Sequence, residues 1–411
     1  MILIQNTVKR VTFGDNSSYQ NGLLTVSKEE LSAAALKNTD GKYAFDIDVF
    51  CPVEKTRIVH ITDAIKPSYK PDAAAFPGWT EGENKCGQGE TVQLENLCLL
   101  QTFAYPGIQE GIVDMSGEGA KYSLFSKKIN LVMSVKLLDT AIEKPVLAKD
   151  LVRMQTQAAE YLASIAKDAC EKKIEINNPQ PSSLPRVGYA YFVQAQGPLR
   201  NVFMYGKECV NMKATYLSPA EIIDGALVSG NYIIACQKNP TIYHQENPVI
   251  RYGIANSGKE MDFVGAICAT ESNLLDGKRE SAASITQKAL ELHCDGMIIT
   301  QEGGGHADVD LIFTNDALTD AGIRTVVIAN EIAGPDGILP PLVSFSSKVD
   351  ATISTGNNDQ VIELDAMDKS IGGDAISNGA HNATDSFKTP LGIMYTATNQ
   401  LGVSNMTTKA Y

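Results

Sequence analysis

The chain has 411 residues, with 35 Lys+Arg against 48 Asp+Glu and a formal net charge of −13. Hydrophobic residues make up 44% and charged residues 20%, which supplies enough apolar surface for sizeable cores and excludes wholesale disorder and fibrous architectures. The acidic balance, with no run of five or six Lys/Arg, argues against nucleic acid and anionic lipid and leaves small molecules and other proteins as partners.

At the N-terminus, Met1 to Arg10 lacks the charged, apolar and small-residue succession of a secretory signal. No window approaches the ~18 apolar residues of a membrane span. Eight cysteines at 51, 86, 98, 170, 209, 236, 268 and 294 form no Cys-x-x-Cys pair, in a chain too long to depend on disulfides. A reducing cytoplasm is the expected compartment.

Residues 1 to about 135 read as short strands broken by turn chemistry at Gly14-Asp15-Asn16 and Asn38-Thr39-Asp40-Gly41. The only tryptophan, Trp79, sits in a long loop from Pro71 to Gly89, and its ring is expected to pin that loop to the body. From Pro145 the period changes: Leu147, Leu151, Met154, Ala158, Leu162, Ile165 and Ala169 recur at three- and four-residue spacing. This predicts one long amphipathic helix near 146–173. The polar, Pro-rich stretch Asn177 to Ser183 reads as a linker, dividing the chain into an N-terminal domain (1–180) and a C-terminal one (181–411).

Beyond the linker, apolar runs at 186–194, 262–269, 296–300, 325–328 and 351–354 alternate with helical stretches, notably 279–292. The expected fold is α/β: an open, mostly parallel, Rossmann/flavodoxin-like sheet with flanking helices, joined to an N-terminal mixed domain rich in β-strands. Ligands of such sheets bind at loops leaving the carboxyl ends of strands. Those loops are Gln301-Glu-Gly-Gly-Gly-His306-Ala-Asp308, Ala329 to Gly337, and Ser354 to Asn358.

In the first loop, three glycines beside Glu302, His306 and Asp308 permit an anion nest, a metal site or a turn that caps the next helix. No His or Cys pair at helical spacing supports a metal, and no Gly-Lys-Ser/Thr closes a phosphate loop. Glu331 and Asp336 are an acidic pair suited to an ammonium group or to solvent. His244 is either a surface-loop histidine or a proton carrier near working pH. Cys268 reads as core packing on a buried strand. Cys236 follows Ser229-Gly230-Asn231-Tyr232. A cysteine after a strained turn can attack the preceding carbonyl, shift the acyl group to sulfur and undergo elimination to leave a pyruvoyl group at a new N-terminus. A small buried hydrophobe is the plain alternative.

At these residues the chain resembles the proproteins of glycine/sarcosine/betaine reductase component B, a family related to the D-proline reductase proprotein. The blocks that carry the likeness are Val11 to Asp15, Gln109 to Gly117, Gln194 to Gly197, Asp224 to Pro248, Gln301 to Gly303, Asn330 to Gly334 and Gln400 to Tyr411. The segment Gly372 to Pro390, with Asp374, His381 and Asp385, matches poorly.

The resemblance implies an oxidoreductase precursor cleaved into two subunits, with a pyruvoyl carbonyl that binds the substrate amine. It also implies a selenocysteine-containing component B subunit and a selenoprotein A-type carrier as partners, in an oligomer. Glycine, an N-methylated glycine or a related amine is the implied substrate, with Cys236 and His244 as catalytic candidates. Glu302, His306, Glu331 and Asp336 are the substrate-binding candidates, and no metal is expected. Asn231, Tyr232, Ala235 and Cys236 form the processing segment. Where the family has the first of two cysteines, this chain has Tyr232, which offers no β-heteroatom to eliminate. Cleavage before Cys236 leaves pieces of 235 and 411 − 235 = 176 residues. The alternatives are an unprocessed relative that binds an amine or docks a selenoprotein, and a metal-dependent hydrolase built on Glu302, His306 and Asp308.

Overall fold

A computed structural model describes residues 1–79, 85–104, 111–177, 182–195, 202–210, 212–230, 238–376 and 380–403. The N-terminal body holds two four-stranded mixed sheets. One aligns Lys172–Glu175, Ile2–Thr7, Glu90–Glu95 and Ser68–Tyr69, and the other Tyr43–Phe50, Ile129–Leu137, Leu97–Thr102 and Ile61–Ile65.

Helices α1 (Lys28–Ala35) and α2 (Lys144–Ser164) pack there, with Leu147, Leu151, Met154, Ala158 and Leu162 of α2 in the core. α2 ends nine residues before the predicted Lys173. The Asn6 amide donates to the carbonyls of Ala166 (3.2 Å) and Ala169 (3.1 Å) and accepts from the Glu171 N–H (3.1 Å). Residues 172–175 then pair antiparallel with Ile2–Thr7. An apolar period cannot foresee this stop, because the capping group lies some 160 residues away in sequence.

The second half is organised around a six-stranded sheet. Its strands are β1 (Arg186–Val193), β2 (Thr215–Leu217), β3 (Asp262–Thr270), β4 (Gly296–Thr300), β5 (Arg324–Glu331) and β6 (Thr352–Asn357). They lie in the order β2-β3-β1-β4-β5-β6, all parallel except β2. Counted by appearance, the five parallel strands run 2-1-3-4-5, so the order reverses between β1 and β4.

Both faces are covered, which explains why these strands read as near-continuous apolar runs. Ala190, Phe192, Ile267 and Ile299 pack under α6 (Leu275–Glu291) and α7 (Ala307–Asp320). Tyr189, Tyr191, Cys268 and Ile328 face the other way. There they meet α3 (Pro219–Asp224), α4 (Thr241–Gln245), α5 (Pro248–Asn256) and apolar residues of the N-terminal body such as Leu3, Phe50 and Val132. Cys268 is therefore core, and burial pushes its thiol pKa up.

Local chemistry sets α3 and α5. Ser218 and Glu221 form a capping box around Pro219, and Gly225, at φ +104°, ends α3 in the left-handed region. The Asn247 side chain accepts from Val249 and Ile250 N–H at the start of α5. A Cβ on Gly78 would lie 1.7 Å from the Gly225 carbonyl oxygen, so only glycine lets that loop approach. Beside it, Trp79 stacks obliquely on Phe203 with centroids 5.1 Å apart.

The C-terminal segment returns to the N-terminal body. Lys369–Ile371 pairs with Thr56–Ile58, and fully buried Arg57 grips Asp114 through Nε (2.6 Å) and Nη2 (2.9 Å). The same guanidinium donates to the carbonyls of Asp365, Ala383 and Asp385. The poorly matching 372–390 segment is thus tied to this body, with His381 stacked on Phe387 at 4.6 Å. No described helix is long and apolar enough to cross a membrane.

Candidate functional site

The carboxyl ends of β1 and β4, on either side of the order reversal, carry Gln194 and Glu302. Glu302 is fully buried; its carboxylate accepts from the N–H of Gln194 (2.7 Å) and of Asn239 (3.0 Å). Burial pushes its pKa up to about 7, against the opposing pull of the nearby Lys238 charge. Its own N–H donates to Glu271, a second buried carboxyl raised well above the ordinary range by burial and by the charges of Asp310 and Glu302. Asp310, ion-paired with buried Lys278, is raised to about 6 by burial.

A clamp forms beside this acid. Asp63, a carboxylate inside the apolar strand Ile61–Ile65, accepts from Thr241 N–H (2.9 Å) and Thr241 Oγ1 (2.5 Å). Thr241 Oγ1 in turn accepts from the Ser229 N–H at 2.9 Å. Ser229 ends the strand Leu227–Ser229, so the chain that leaves there is tied back to its own start twelve residues later. Burial lifts Asp63 to about 7.

Asn239 extends the network. Its Nδ2 donates to the Tyr191 hydroxyl at 2.9 Å, and that hydroxyl lies 2.7 Å from Nδ1 of His244. His244 is not a surface-loop residue: it lies on α4 and is fully buried. Burial, then the Lys238 charge, lowers its pKa to about 3, so the imidazole is neutral. The Tyr191 hydroxyl accepts from Asn239 and shares a second hydrogen bond with Nδ1 of His244, whose direction follows the imidazole tautomer.

The C-terminal segment closes the cluster from the far side. Asn399 Nδ2 donates to Asn239 Oδ1, and Gln400 Nε2 donates to Gly303 O (3.0 Å) and Asn330 Oδ1 (3.3 Å). Among the described residues, His244 Nε2, Gln194 Oε1, Gln400 Oε1 and Asn330 Nδ2 are buried polar atoms with no hydrogen-bond partner.

The structure brings two of the sequence candidates, Glu302 and His244, into one hydrogen-bonded cluster. His306 is exposed at the start of α7. Glu331 is half-buried and accepts from Ser354 Oγ in the wall of a separate cavity. Asp336 is exposed and accepts from the Ile338 N–H at 3.2 Å. Asp308 is engaged by Gln301 Nε2 (2.6 Å) and Val343 N–H (2.9 Å). No three His, Cys, Asp or Glu side chains among the described residues are grouped to hold a metal. Asn231, Tyr232, Ala235 and Cys236 lie outside the described residues. Sequence reasoning did not single out Asp63, Tyr191, Asn239, Thr241 or Asn399. Asp63 carried a signal, an acid in the middle of an apolar strand, and the blocks at Gln194, Gln301 to Gly303, Asn330 and Gln400 meet here.

Residues 1–409 match the family model described as glycine/sarcosine/betaine reductase component B subunits. A protein of Acetoanaerobium sticklandii named "Glycine reductase complex component B subunits alpha and beta" is 33% identical, over 98% of each chain. One of Peptoclostridium acidaminophilum named "Sarcosine reductase complex component B subunit alpha" is 30% identical, also over 98% of each chain. That organism's "Betaine reductase complex component B subunit alpha" is 31% identical over 88% of this chain and 85% of its own. No solved structure matches the chain.

Proposed function

The chain belongs to the glycine/sarcosine/betaine reductase component B family, an oxidoreductase family, and on that premise we propose that it is the proprotein subunit of a pyruvoyl-dependent amine reductase. The reaction is reductive cleavage of the C–N bond of glycine, an N-methylated glycine or a related amine. A selenocysteine-containing component B subunit and an A-type selenoprotein carrier are its proposed partners, in keeping with relatives named as parts of a complex.

The observation that carries the reading is the grip of the buried cluster on both flanks of residues 231–237, the segment with Cys236: Ser229 on one side, Asn239 and Thr241 on the other. The 2-1-3-4-5 order supports a flavodoxin-like arrangement, whose ligands sit where the order reverses, and Gln194 and Glu302 flank that point. The unpartnered polar atoms around Glu302 fit a small polar group.

A pyruvoyl group there supplies a carbonyl electrophile toward the substrate amine. The chain's own residues do the rest. Glu302, with a pKa of about 7, holds or releases a proton near neutrality beside the Lys238 charge. His244 stays neutral while Tyr191 fixes its orientation. Asn239 and Asn399 hold the segment's return, and the N-terminal body and sheet faces exclude water.

Tyr232 favours a second reading, an unprocessed relative that binds an amine or docks the selenoprotein. The Acetoanaerobium relative is named for two subunits in one chain, the sarcosine relative for one. Intact mass of protein co-expressed with its partners separates the two. Processing at Cys236 splits the 44.2 kDa chain into about 25 and 19 kDa pieces, the smaller one blocked at its amine and reactive toward hydroxylamine. A single 44.2 kDa species inert to hydroxylamine leaves only the unprocessed reading.

A further inference from the structure

The crossovers from β3 to β4 and from β4 to β5 each carry a helix, whereas residues 332–351, between β5 and β6, form a long loop. Loops of this length inside a compact fold are usually functional. Five large apolar side chains are exposed along it: Ile332, Ile338, Leu339, Val343 and Phe345. The loop that presents them is pinned. Ile332 N–H donates to Pro341 O and Leu339 N–H to Ala333 O, both at 3.0 Å. Gly334 N–H donates to Asp359 Oδ2 (2.8 Å), Asn357 Nδ2 to Gly334 O (2.8 Å) and Val343 N–H to Asp308 Oδ2 (2.9 Å). The apolar groups are therefore held out toward solvent, and a surface fixed in advance loses little entropy when a partner arrives.

Under the loop, at the carboxyl end of β5, is a cavity of about 270 Å³, with Ile312, Leu342 and Val349 as apolar walls and Phe345 at the rim. Small-molecule pockets run from about 300 Å³ upward, whereas protein interfaces centre on pockets that take one buried anchor side chain. The charges select the partner. Lys348 and Asp350 of the loop are balanced by Asp320 (2.7 Å) and Arg324 (3.9 Å). The surplus is the negative charge of Glu331, in the cavity wall, and of exposed Asp336. A second copy of this chain, at net charge −13, would bring the same surplus to a twofold contact and be repelled. A different chain with a basic contact segment is attracted.

We propose that the 332–345 loop and the cavity beneath it are the docking surface for the component B partner subunit, which places an apolar or aromatic side chain in the cavity and a basic residue against Glu331 and Asp336. The proposal rests on the reading of this chain as part of a reductase complex and adds the surface and the chemistry of the contact. Asn330 lines the cavity and accepts from Gln400, which also bonds Gly303, so a partner seated there lies one side chain away from the Glu302 cluster.

The test is hydrogen exchange, read by mass spectrometry, on the full chain alone and with the separately purified component B partner subunit, together with calorimetric titration of one into the other. Docking should slow exchange at 332–345 and leave 147–158 of α2 unchanged, and affinity should fall as salt rises. Leu339→Asp and Phe345→Asp, both at exposed positions, should each weaken binding about tenfold or more, and Glu331→Lys should do the same while flattening the salt dependence. Leu290→Asp, at a similarly exposed apolar position near the end of α6, should leave binding unchanged. Unchanged exchange at 332–345 in a complex that forms, binding unaffected by both Leu339→Asp and Phe345→Asp, or failure of the two chains to bind overturns the proposal. A concentration-dependent dimer of this chain alone that Phe345→Asp dissolves overturns it in favour of a second copy. Hydroxylamine reactivity of the same samples reads the pyruvoyl reading separately: no reactivity with docking intact rejects only that reading, and the converse rejects only the docking surface.

Discussion

Glu302→Gln removes one ionisable proton from the buried cluster while keeping its shape. The unfolded chain ionises Glu302 near 4.5 and the folded chain near 7, because burial disfavours the charge. Between those values the folded state holds the extra proton, so stability is fully present below 4.5 and falls as pH rises through 7. The gap of about 2.5 pH units, at 1.36 kcal/mol each, makes the loss about 3 kcal/mol. Glutamine does not titrate. The N–H groups of Gln194 and Asn239 each donate to a different oxygen of Glu302, and the glutamine NH2 cannot accept from the one it faces, so the variant carries a pH-independent offset and only the change of the difference with pH reports the proton. Urea unfolding followed by far-UV circular dichroism, at unit steps from pH 5 to 8, gives the difference in free energy. Between pH 5 and 8 it should move by about 2.5 kcal/mol in favour of the variant, the rest of the loss lying below pH 5. Asp63 and Glu160, both lifted to about 7 by burial, titrate in the same window, but they are common to both proteins and cancel. A difference that stays constant from pH 5 to 8, or moves the other way, refutes the account of Glu302.

Asp224→Asn leaves the buried Lys70 ammonium without its 2.8 Å counter-charge, and should cost about 3–5 kcal/mol in urea unfolding; a loss under 1 kcal/mol contradicts the buried pair. The imidazole of His244 should show no protonation shift in NMR between pH 5 and 8. Its pKa of about 3 lies below the unfolded 6.5, so its contribution to stability is present above 6.5 and is lost as pH falls toward 3. Tyr191→Phe removes the hydroxyl between Asn239 and His244 and should destabilise the fold by about 1–3 kcal/mol, with hydrogen exchange accelerating in α4. Asn6→Ala uncaps the turn after α2 and should raise amide exchange at 166–171 while leaving 147–158 protected; uniform exchange along the helix counts against the capping account.

Much of the architecture was legible because its causes are local. The apolar runs at 186–193, 262–270 and 296–300 are strands because both faces of the sheet are buried, and a run of β-branched and aromatic residues reports that burial directly. The Pro219 and Pro248 starts follow from capping side chains within three residues. The resemblance was carried by short ordered blocks, and the full-length family match has the same extent. The end of α2 and the attachment of 372–390 were not legible, because Asn6 and Arg57 act across about 160 and 330 residues.

The candidate site divides the same way. Sequence alone identified Glu302 and His244 by residue type and by their position after a strand or in a family block. It could not tell that His244 is buried and neutral, or that Glu302, Glu331 and Asp336 occupy three different environments. Nor could it select Asp63, Tyr191, Asn239 and Asn399, since each is an ordinary polar residue until the fold removes water from it. Ionisation and hydrogen-bond demand depend on burial and on partners distant in the chain, and those exist only once β1, β4, the 229–241 return and the C-terminal segment have met.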